Sequence, residues 1–362
     1  KNGGAIVTSK IALLQVNPVV GDIGGNASQI SKLANQASQA GASLAVTTEL
    51  AISGYPPRDL LLQSDFIETC HATANNLESE IPILVGTPVP PLDDRSLPGN
   101  GVVRAGDSVR EVTRKQLLPT YDVFDEARYF EADERPGIAR TIAGLDIGVT
   151  ICEDAWQHCG ATPNDYDSDP IAQIVEWGRQ GVVLDATVNL SASPYHANKS
   201  GIRVAVARSA AASLNHPFLL ANQVGGNDDL LFDGRSVIVW PNGTAVIAPA
   251  WKEGILIADL SSPEGCVWIG DGELSILGSD EDVEDEEDDL LDAIIIGLSD
   301  YCRKSGISKI VLGLSGGIDS ALAACVASAA VGPANVTGIS MPSRHSSQHS
   351  IDDARATAEA LG

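Results

Sequence analysis

The sequence predicts an α/β protein of two domains, with paired β-sheets and outer helices first and the beginning of a parallel sheet second. A length of 362 residues, 44% of them hydrophobic, provides enough material for two cores. Short β-branched apolar runs alternate with segments of helical period, which favours layered α/β architecture. The acidic run 279–289 separates two such regions and cannot bury apolar surface, so we interpret it as a linker. An acidic interaction tail is the alternative, but a new folded pattern begins directly after the run.

The first region is read from its apolar runs and from its turn residues. Hairpin turns are predicted at Gly106-Asp107 and Asn242-Gly243, and another turn at 225–228. Strands are predicted at 11–16, 44–48, 81–86, 102–104, 109–113, 142–151, 181–194, 218–224, 236–240 and 245–248, and helices at 26–41, 171–181 and 202–215.

The second region begins with a helix at 290–304 that stops at Gly306. A core strand is predicted at 309–314 and a second at 336–339, with an alanine-rich helix between them that runs to about residue 330. A last helix is predicted at 350–361, with Ser350 as its N-terminal cap.

Composition excludes several classes of function. The net charge of −25 argues against nucleic acid or an anionic membrane surface as the main partner. No membrane span and no signal peptide is recognised. The six cysteines are scattered without CxxC spacing, which predicts neither a zinc site nor a disulfide framework and suggests a reducing cytosol. The single methionine is Met341, so Lys1 is no initiator and the sequence is expected to be trimmed at its start.

Three side chains follow predicted strands directly and are candidates for chemistry. Cys152 ends the run 145–151, Glu49 ends the strand at 44–48, and Lys115 follows the hairpin that closes near residue 113. Each has a plain structural alternative: a cysteine after an apolar run is often a small core residue, and a charge at a strand end is often a solvated turn residue.

A second candidate is the loop SGGIDS at 315–320, placed between a strand and a helix. Its glycines and the helix N-terminus would present backbone N–H groups to a phosphate. It matches neither GxxxxGK[ST] nor GxGxxG. Asp319 and Ser320 would instead offer a carboxylate to magnesium and a hydroxyl to a phosphate oxygen. The loop resembles the pyrophosphate-binding loop of the ATP pyrophosphatase group, whose members adenylate a carbonyl oxygen before an amine attacks.

With that loop placed, Glu49, Lys115 and Cys152 resemble in order and position the centre of the nitrilase-like amidases. The wider resemblance is to the glutamine-dependent NAD synthetases and covers nearly the whole chain except the acidic run. It rests on these strings: TTELAISGYPPRDLL at 47–61, RKQLLPTYDVFDEARYF at 114–130, ICEDAW at 151–156, NLSASPYH at 189–196, QVGGNDDLLFDGRS at 223–236, YCRKSGISKIVLGLSGGIDSAL at 301–322 and ISMPSRHSSQHSIDDARATAEALG at 339–362.

This resemblance implies a nitrilase-like four-layer α-β-β-α sandwich at 1–278, the acidic linker at 279–289 and the first part of a Rossmann-like, adenine nucleotide alpha hydrolase-like domain at 290–362. Cys152 would form a thioester with glutamine and release ammonia, which would amidate deamido-NAD adenylated by ATP. Glu49 would act as the base, Lys115 would stabilise the oxyanion and Glu126 would orient Lys115.

The resemblance also implies the binding residues and partners. Magnesium at Asp319, no tightly bound organic cofactor and a homo-oligomer in the cytoplasm are expected. Glutamine would be bound by Tyr121, Phe124, Glu153, Ser193 and Lys199, and ATP by Gly313, Ser315, Gly316, Gly317, Ile318, Asp319 and Ser320.

Two alternatives remain open. Other amidotransferases with the same ATP loop, such as GMP or asparagine synthetases, pair it with a different glutaminase, so Glu49, Lys115 and Cys152 count against them. The second is a chain that only hydrolyses glutamine or acts as a regulatory partner, because it carries just two strands of the second sheet.

Overall fold

The computed structural model describes residues 10–93, 95–106, 110–134, 137–279, 281, 283, 289–344 and 347–362. Its chain contacts divide into two compact units. Among the described residues, the first unit takes in 10–224 and 232–283, and the second takes in 225–231 and 289–362. In these residues no helix is both long and apolar enough to cross a membrane.

The strands are β1 Lys10–Gln15, β2 Leu44–Val46, β3 Ile83–Val89, β4 Gly99–Ala105, β5 Arg110–Arg114, β6 Gly137–Ile142, β7 Leu145–Ile151, β8 Ala186–Ser191, β9 Phe218–Asn222, β10 Val224–Asn227, β11 Leu230–Asp233, β12 Val237–Val239, β13 Ala245–Ile247, β14 Gly254–Asp259, β15 Val267–Gly270, β16 Ser275–Leu277, β17 Ile310–Gly313 and β18 Val336–Ile339. The helices are α1 Ile23–Gln39, α2 Ser64–Asn75, α3 Pro170–Arg179, α4 Lys199–Leu214, α5 Asp289–Lys304, α6 Ile318–Val331 and α7 Gln348–Leu361.

The first unit is built on two seven-stranded sheets of matching plan. One has the order β15-β14-β1-β2-β3-β4-β5 and the other the order β16-β13-β12-β9-β8-β7-β6. Three parallel strands lie at the centre of each, β1-β2-β3 and β7-β8-β9, with antiparallel strands outside them. Parallel strands are buried on both faces, and accordingly nearly all residues of these six strands are buried, including polar ones such as Asn189 of β8.

Three separate apolar clusters identify the layers. Leu13 of one sheet and Val149 of the other lie in one cluster, so the two sheets pack face to face. Ile30 of α1 and Cys70 of α2 pack on the outer face of the first sheet. Helices α3 and α4 pack on the outer face of the second sheet. The predicted four-layer α-β-β-α sandwich is therefore confirmed.

The second unit contains the short parallel pair β17 and β18, with α6 packed on both strands. The hairpin residues 225–231 also belong to this unit. There Asp300 of α5 accepts a hydrogen bond from the backbone N–H of Gly226 at 2.8 Å, and Lys304 donates to the Gly226 carbonyl at 2.9 Å.

The predicted turn at 225–228 is wrong for its first three residues, which form strand β10. A Cβ on Gly226 would lie 3.4 Å from the Cα of Gly297, so this glycine permits close approach of α5 instead of making a turn. The chain turns directly after β10, at Asp228, whose φ of 52° lies in the left-handed region that aspartate tolerates.

Other element boundaries also differ from the predictions. Strand β8 begins at Ala186 and not at residue 181, because Val183 is 79% exposed in the connection from α3. Ser347, not Ser350, caps α7, and its side chain accepts a hydrogen bond from the N–H of Ser350. Asp107 and Val109 of the first predicted hairpin, and most of the acidic run 279–289, lie outside the described residues.

Candidate active site

The three candidate side chains follow strands that end at corresponding edges of the two sheets. Cys152 comes directly after β7, and Lys115 directly after β5. Glu49 lies three residues beyond β2. All three are buried, with Glu49 and Lys115 at 0% exposure and Cys152 at 5%, so none is a solvated turn residue.

Cys152 has a strained backbone. Its φ is +43°, in the left-handed region that a residue with a Cβ rarely adopts. The side-chain amide of Asn189 donates to the Cys152 carbonyl at 3.2 Å and helps to hold this conformation. Leu50, next to Glu49, is left-handed too, with φ +47°. Such strain typically costs about 1–3 kcal/mol and is concentrated at functional sites.

Lys115 bridges two buried carboxylates. Its Nζ lies 2.7 Å from Glu49 Oε1, and 2.8 Å and 2.7 Å from the two carboxylate oxygens of Glu126. The hydroxyl of Tyr55 donates to Glu126 Oε1 at 2.8 Å. The structure therefore brings together Glu49, Lys115 and Glu126, as the sequence predicted.

Electrostatics couples this cluster to the thiol. Burial raises the pKa of Cys152 well above its usual value, and the charge of Glu49 adds to the rise while Lys115 opposes it. Burial alone would lower the pKa of Lys115, but Glu126 and Glu49 outweigh burial and raise it. At neutral pH the site therefore holds an ammonium and a protonated thiol, and a thiolate forms only when a nearby base takes the proton.

The carboxylate of Glu49 is held by three donors. Glu49 Oε1 accepts from Lys115 and from the side-chain amide of Asn100, each at 2.7 Å. Glu49 Oε2 accepts from the backbone N–H of Ala192 at 3.1 Å. This backbone donor comes from the other sheet, just after β8, so the carboxylate joins the two halves of the site.

Four of the five predicted glutamine-binding residues belong to two local contacts beside Cys152. Tyr121 donates to Glu153 Oε1 at 2.7 Å and packs edge to face against Phe124, with ring centroids 5.4 Å apart. Lys199 lies with its Nζ 4.3 Å from the ring centroid of Trp156, and burial lowers its pKa. Nothing in the structure shows what these groups bind, so their roles stay predictions.

Ser193, the fifth of these residues, is buried just after strand β8. Its backbone N–H donates to Asn222 Oδ1 at 2.9 Å. Asn222 in turn donates to the Gly234 carbonyl, which also accepts from Arg203. Arg203 forms a two-point ion pair with buried Asp233, at 3.0 and 2.8 Å. A rigid polar support therefore fixes the segment that carries Ser193.

Sequence reasoning missed several polar side chains of this site. Tyr166 contacts Glu153 Oε1 at 3.3 Å from the loop before α3. Asp154 accepts from the backbone N–H groups of residues 116, 117 and 151, so it ties the Lys115 segment to the Cys152 segment. The adjacency of Asp154 to Cys152 was a usable signal. No local sequence pattern identified Asn100 or Tyr55, because their partners Glu49 and Glu126 lie 51 and 71 residues away along the chain.

The second unit contains the predicted strand, turn and helix around SGGIDS. Gly316 has φ +80°, and a Cβ there would lie 2.0 Å from the Ser350 carbonyl oxygen, so only glycine fits. The hydroxyls of Ser315 and Ser320 lie 3.1 Å apart, and Ser320 Oγ accepts from the Ser315 N–H at 3.2 Å. A cavity of about 230 Å³ adjoins Gly313 and Ser315.

Gly86 provides a test of how tightly the Glu49 turn is packed. A Cβ on this β3 residue would lie 2.4 Å from the Thr48 carbonyl oxygen and 2.7 Å from the Leu50 nitrogen. We expect Gly86→Ala to lower the free energy of unfolding by about 1–3 kcal/mol and to displace Glu49. Denaturant unfolding measures the change. Gly24→Ala is the control, since a Cβ there meets nothing within 4 Å; equal effects of the two substitutions would contradict the prediction.

The sandwich fold and the buried cluster of cysteine, lysine and two glutamates define a nitrilase-like hydrolase class. The model of the carbon-nitrogen hydrolase family matches residues 10–266, and the chain belongs to that family. The NAD synthase family model matches residues 290–362.

The chain is similar to proteins named glutamine-dependent NAD(+) synthetase. It is 42% identical to the one from Synechocystis sp. over 97% of this chain and 63% of that protein. It is 35% identical to the one from Aquifex aeolicus over 97% of this chain and 64% of that protein. The chain thus spans less than two thirds of the length of these relatives.

Solved structures agree on the fold. The glutamine-dependent NAD+ synthetase of Acinetobacter baumannii, in complex with adenosine diphosphate, matches 98% of this chain and 63% of that chain, with 31% identity and a TM-score of 0.82. An amidase from Nesterenkonia sp. matches 70% of this chain and 90% of that chain, with 21% identity and a TM-score of 0.55. The amidase supports the fold of the first unit alone.

Proposed function

We propose that the first unit hydrolyses the side-chain amide of glutamine and that the ammonia released is used to make NAD from deamido-NAD and ATP. The observation that carries the proposal is the buried cluster in which Lys115 Nζ lies 2.7 Å from both Glu49 and Glu126, coupled by charge to Cys152. The similarity to glutamine-dependent NAD(+) synthetases supports the choice of substrates.

In the first half-reaction, Cys152 Sγ attacks the amide carbon while Glu49 takes the thiol proton. Lys115 faces the oxyanion that develops, and loss of such a donor typically costs about 10²–10³ in rate. Glu49 then returns the proton to the leaving ammonia, and a γ-glutamyl thioester remains. Water, deprotonated by Glu49, attacks the thioester and regenerates the thiol with release of glutamate.

The glutamine pocket would place its charged groups around the α-carbon of the substrate. Burial raises the pKa of Glu153, but its hydrogen bonds to Tyr121 and Tyr166 and the charge of Lys115 oppose that rise. A carboxylate there suits the α-ammonium of glutamine. Lys199, half-buried beside Trp156, suits the α-carboxylate. Phe124 and Ser193 would complete the wall of the glutamine pocket.

The second half-reaction would use the loop at 315–320. Its glycine-containing backbone and the N-terminus of α6 suit the phosphates of ATP. Asp319 has an exposed carboxylate at the start of this helix, which fits one ligand of a magnesium ion that keeps several waters and the phosphate oxygens. Magnesium would neutralise phosphate charge, while Ser315 and Ser320 would hold the phosphate oxygens. Gly313, Ile318 and the neighbouring cavity would bound the nucleotide.

A chain that acts only as a glutamine hydrolase is the second candidate. It is favoured by the location of Glu49, Lys115, Glu126 and Cys152, all of which belong to the first unit. The homo-oligomer, the cytosolic location and the domain limits 1–278, 279–289 and 290–362 also stay predictions.

The test is to incubate the chain with glutamine, ATP, magnesium and deamido-NAD and to follow glutamate and NAD separately. We expect glutamate from the first site in every case. NAD would support both halves of the proposal, and glutamate alone would support the hydrolase. Glutamate formation no faster than in buffer without the protein would contradict the proposed glutaminase activity.

A further inference from the structure

Asn100 is a fully buried residue of β4 that contacts the proposed base directly. Its Nδ2 lies 2.7 Å from Glu49 Oε1, the same oxygen that Lys115 contacts. Its backbone carbonyl accepts from the Lys115 N–H at 2.8 Å, so one residue fixes both charged neighbours. The proposed mechanism does not use its side chain.

The two polar atoms of the Asn100 side-chain amide differ in their hydrogen bonding. Nδ2 donates to Glu49, but Oδ1 is buried and has no hydrogen-bond partner among the described residues. A buried acceptor without a partner is destabilising, and an apolar side chain of the same size would avoid that cost. Stability alone therefore does not account for asparagine at this position.

The hydrogen bond from Asn100 Nδ2 distinguishes the two carboxylate oxygens of Glu49. Oε1 already accepts from Asn100 and Lys115, which occupies both of its lone-pair directions. Among the described residues, Oε2 accepts only from the Ala192 N–H, so one of its lone pairs has no donor there. Oε2 is thus the oxygen that can take a proton.

We propose that Asn100 is a positioning residue for the hydrolase reaction, which holds the Glu49 carboxylate in place and directs Oε2 to the thiol proton of Cys152. This inference rests on the proposed function of the first unit. In the transfer, the S–H bond of Cys152 breaks and an O–H bond forms on Glu49 Oε2, so the negative charge moves from the carboxylate to the sulfur and the net charge of the pair does not change. Asn100 keeps its hydrogen bond to Glu49 Oε1, while the ammonium of Lys115 also stabilises the oxyanion.

Asn100→Leu removes the donor and keeps the volume. We expect kcat for glutamine hydrolysis to fall about tenfold to a hundredfold, as for a lost hydrogen bond to a charged group, with KM nearly unchanged. The acidic limb of the kcat/KM profile should move to higher pH. The thermal midpoint should fall by no more than about 4 °C, because the unpartnered Oδ1 is removed as well.

Asn100→Asp has the same shape but places an acceptor beside Glu49. We expect its activity to be weakest at high pH and to recover as the pH falls, since a protonated aspartate donates again. Opposite pH trends for the Leu and Asp variants would not arise from a merely structural role. Asn26→Ala is the control, because that buried amide bonds only the backbone of residues 19 and 52.

Alkylation of Cys152 by iodoacetamide, followed by mass spectrometry, measures thiol deprotonation without any glutamine. The proposal expects slower alkylation in Asn100→Leu and the wild-type rate in Asn26→Ala. Unchanged kcat and pH profile in both Asn100 variants, with an active wild type, would overturn it. A wild type that labels normally but releases no glutamate would instead contradict the proposed function.

Discussion

Replacing Cys152 with alanine is expected to abolish glutamine hydrolysis, with a loss of roughly 10⁴-fold or more in kcat, as when a covalent nucleophile or its partner is removed from comparable hydrolases. Among the cysteines that the structure describes, Cys152 is the one whose pKa is influenced by the charge of Glu49, so it is the expected nucleophile. The measurement is glutamate formation from glutamine alone. Mass spectrometry after quenching should also show no γ-glutamyl adduct.

Cys159→Ala is the matched control for this prediction. Cys159 lies seven residues away and is exposed, with its Sγ 3.6 Å from the Trp156 carbonyl oxygen. In the part of the chain that the structure describes, it forms no hydrogen bond with Glu49 or Lys115. This variant should retain the wild-type rate. If Cys152→Ala kept more than a few per cent of the activity, the thioester route would have to be abandoned.

Replacing Lys115 with methionine is expected to cost about 3–5 kcal/mol of unfolding free energy, because two carboxylates would remain buried without their shared ammonium. Lys115 is fully buried, and its two ion pairs are both 2.7 Å long. Glutamine hydrolysis should be lost as well, since Lys115 is the group proposed to stabilise the oxyanion. Chemical denaturation and glutamate release measure the two effects.

The stability loss in Lys115→Met should shrink as the pH falls. Burial raises the pKa of Glu126 in the folded protein, and Lys115 is the largest opposing influence. Without Lys115, Glu126 binds its proton more tightly when folded than when unfolded. Stability from that proton is fully present below the unfolded pKa and is lost as the pH rises through the folded value.

A second substitution separates charge from packing. Glu126→Gln in the Lys115→Met background removes one stranded carboxylate and keeps its shape, so it should restore stability in part without restoring activity. A double variant as unstable as Lys115→Met at every pH would show that the lysine stabilises the fold by packing and not by its charge.

The elements of the sandwich were largely predictable because local pattern dictates them. Strand β1 at Lys10–Gln15 and the hairpin of β12 and β13 agree closely with the apolar runs and turn residues that predicted them. The start of β8 was wrong, because Val182 and Val183 are apolar but lie in an irregular connection. A short apolar run does not reveal whether its face is buried; packing decides that.

The sequence by itself determined the αββα sandwich, its membership of the carbon-nitrogen hydrolase family and the three residues Glu49, Lys115 and Cys152, because each follows a strand within a recognisable string. Only the tertiary structure decided how they are held. Asn100 on Glu49 and Tyr55 on Glu126 are contacts across 51 and 71 residues of chain. Such contacts follow from the pairing of sheets and not from local sequence. The left-handed backbone of Cys152 is also imposed by the surrounding fold, because a residue with a Cβ does not adopt it on its own.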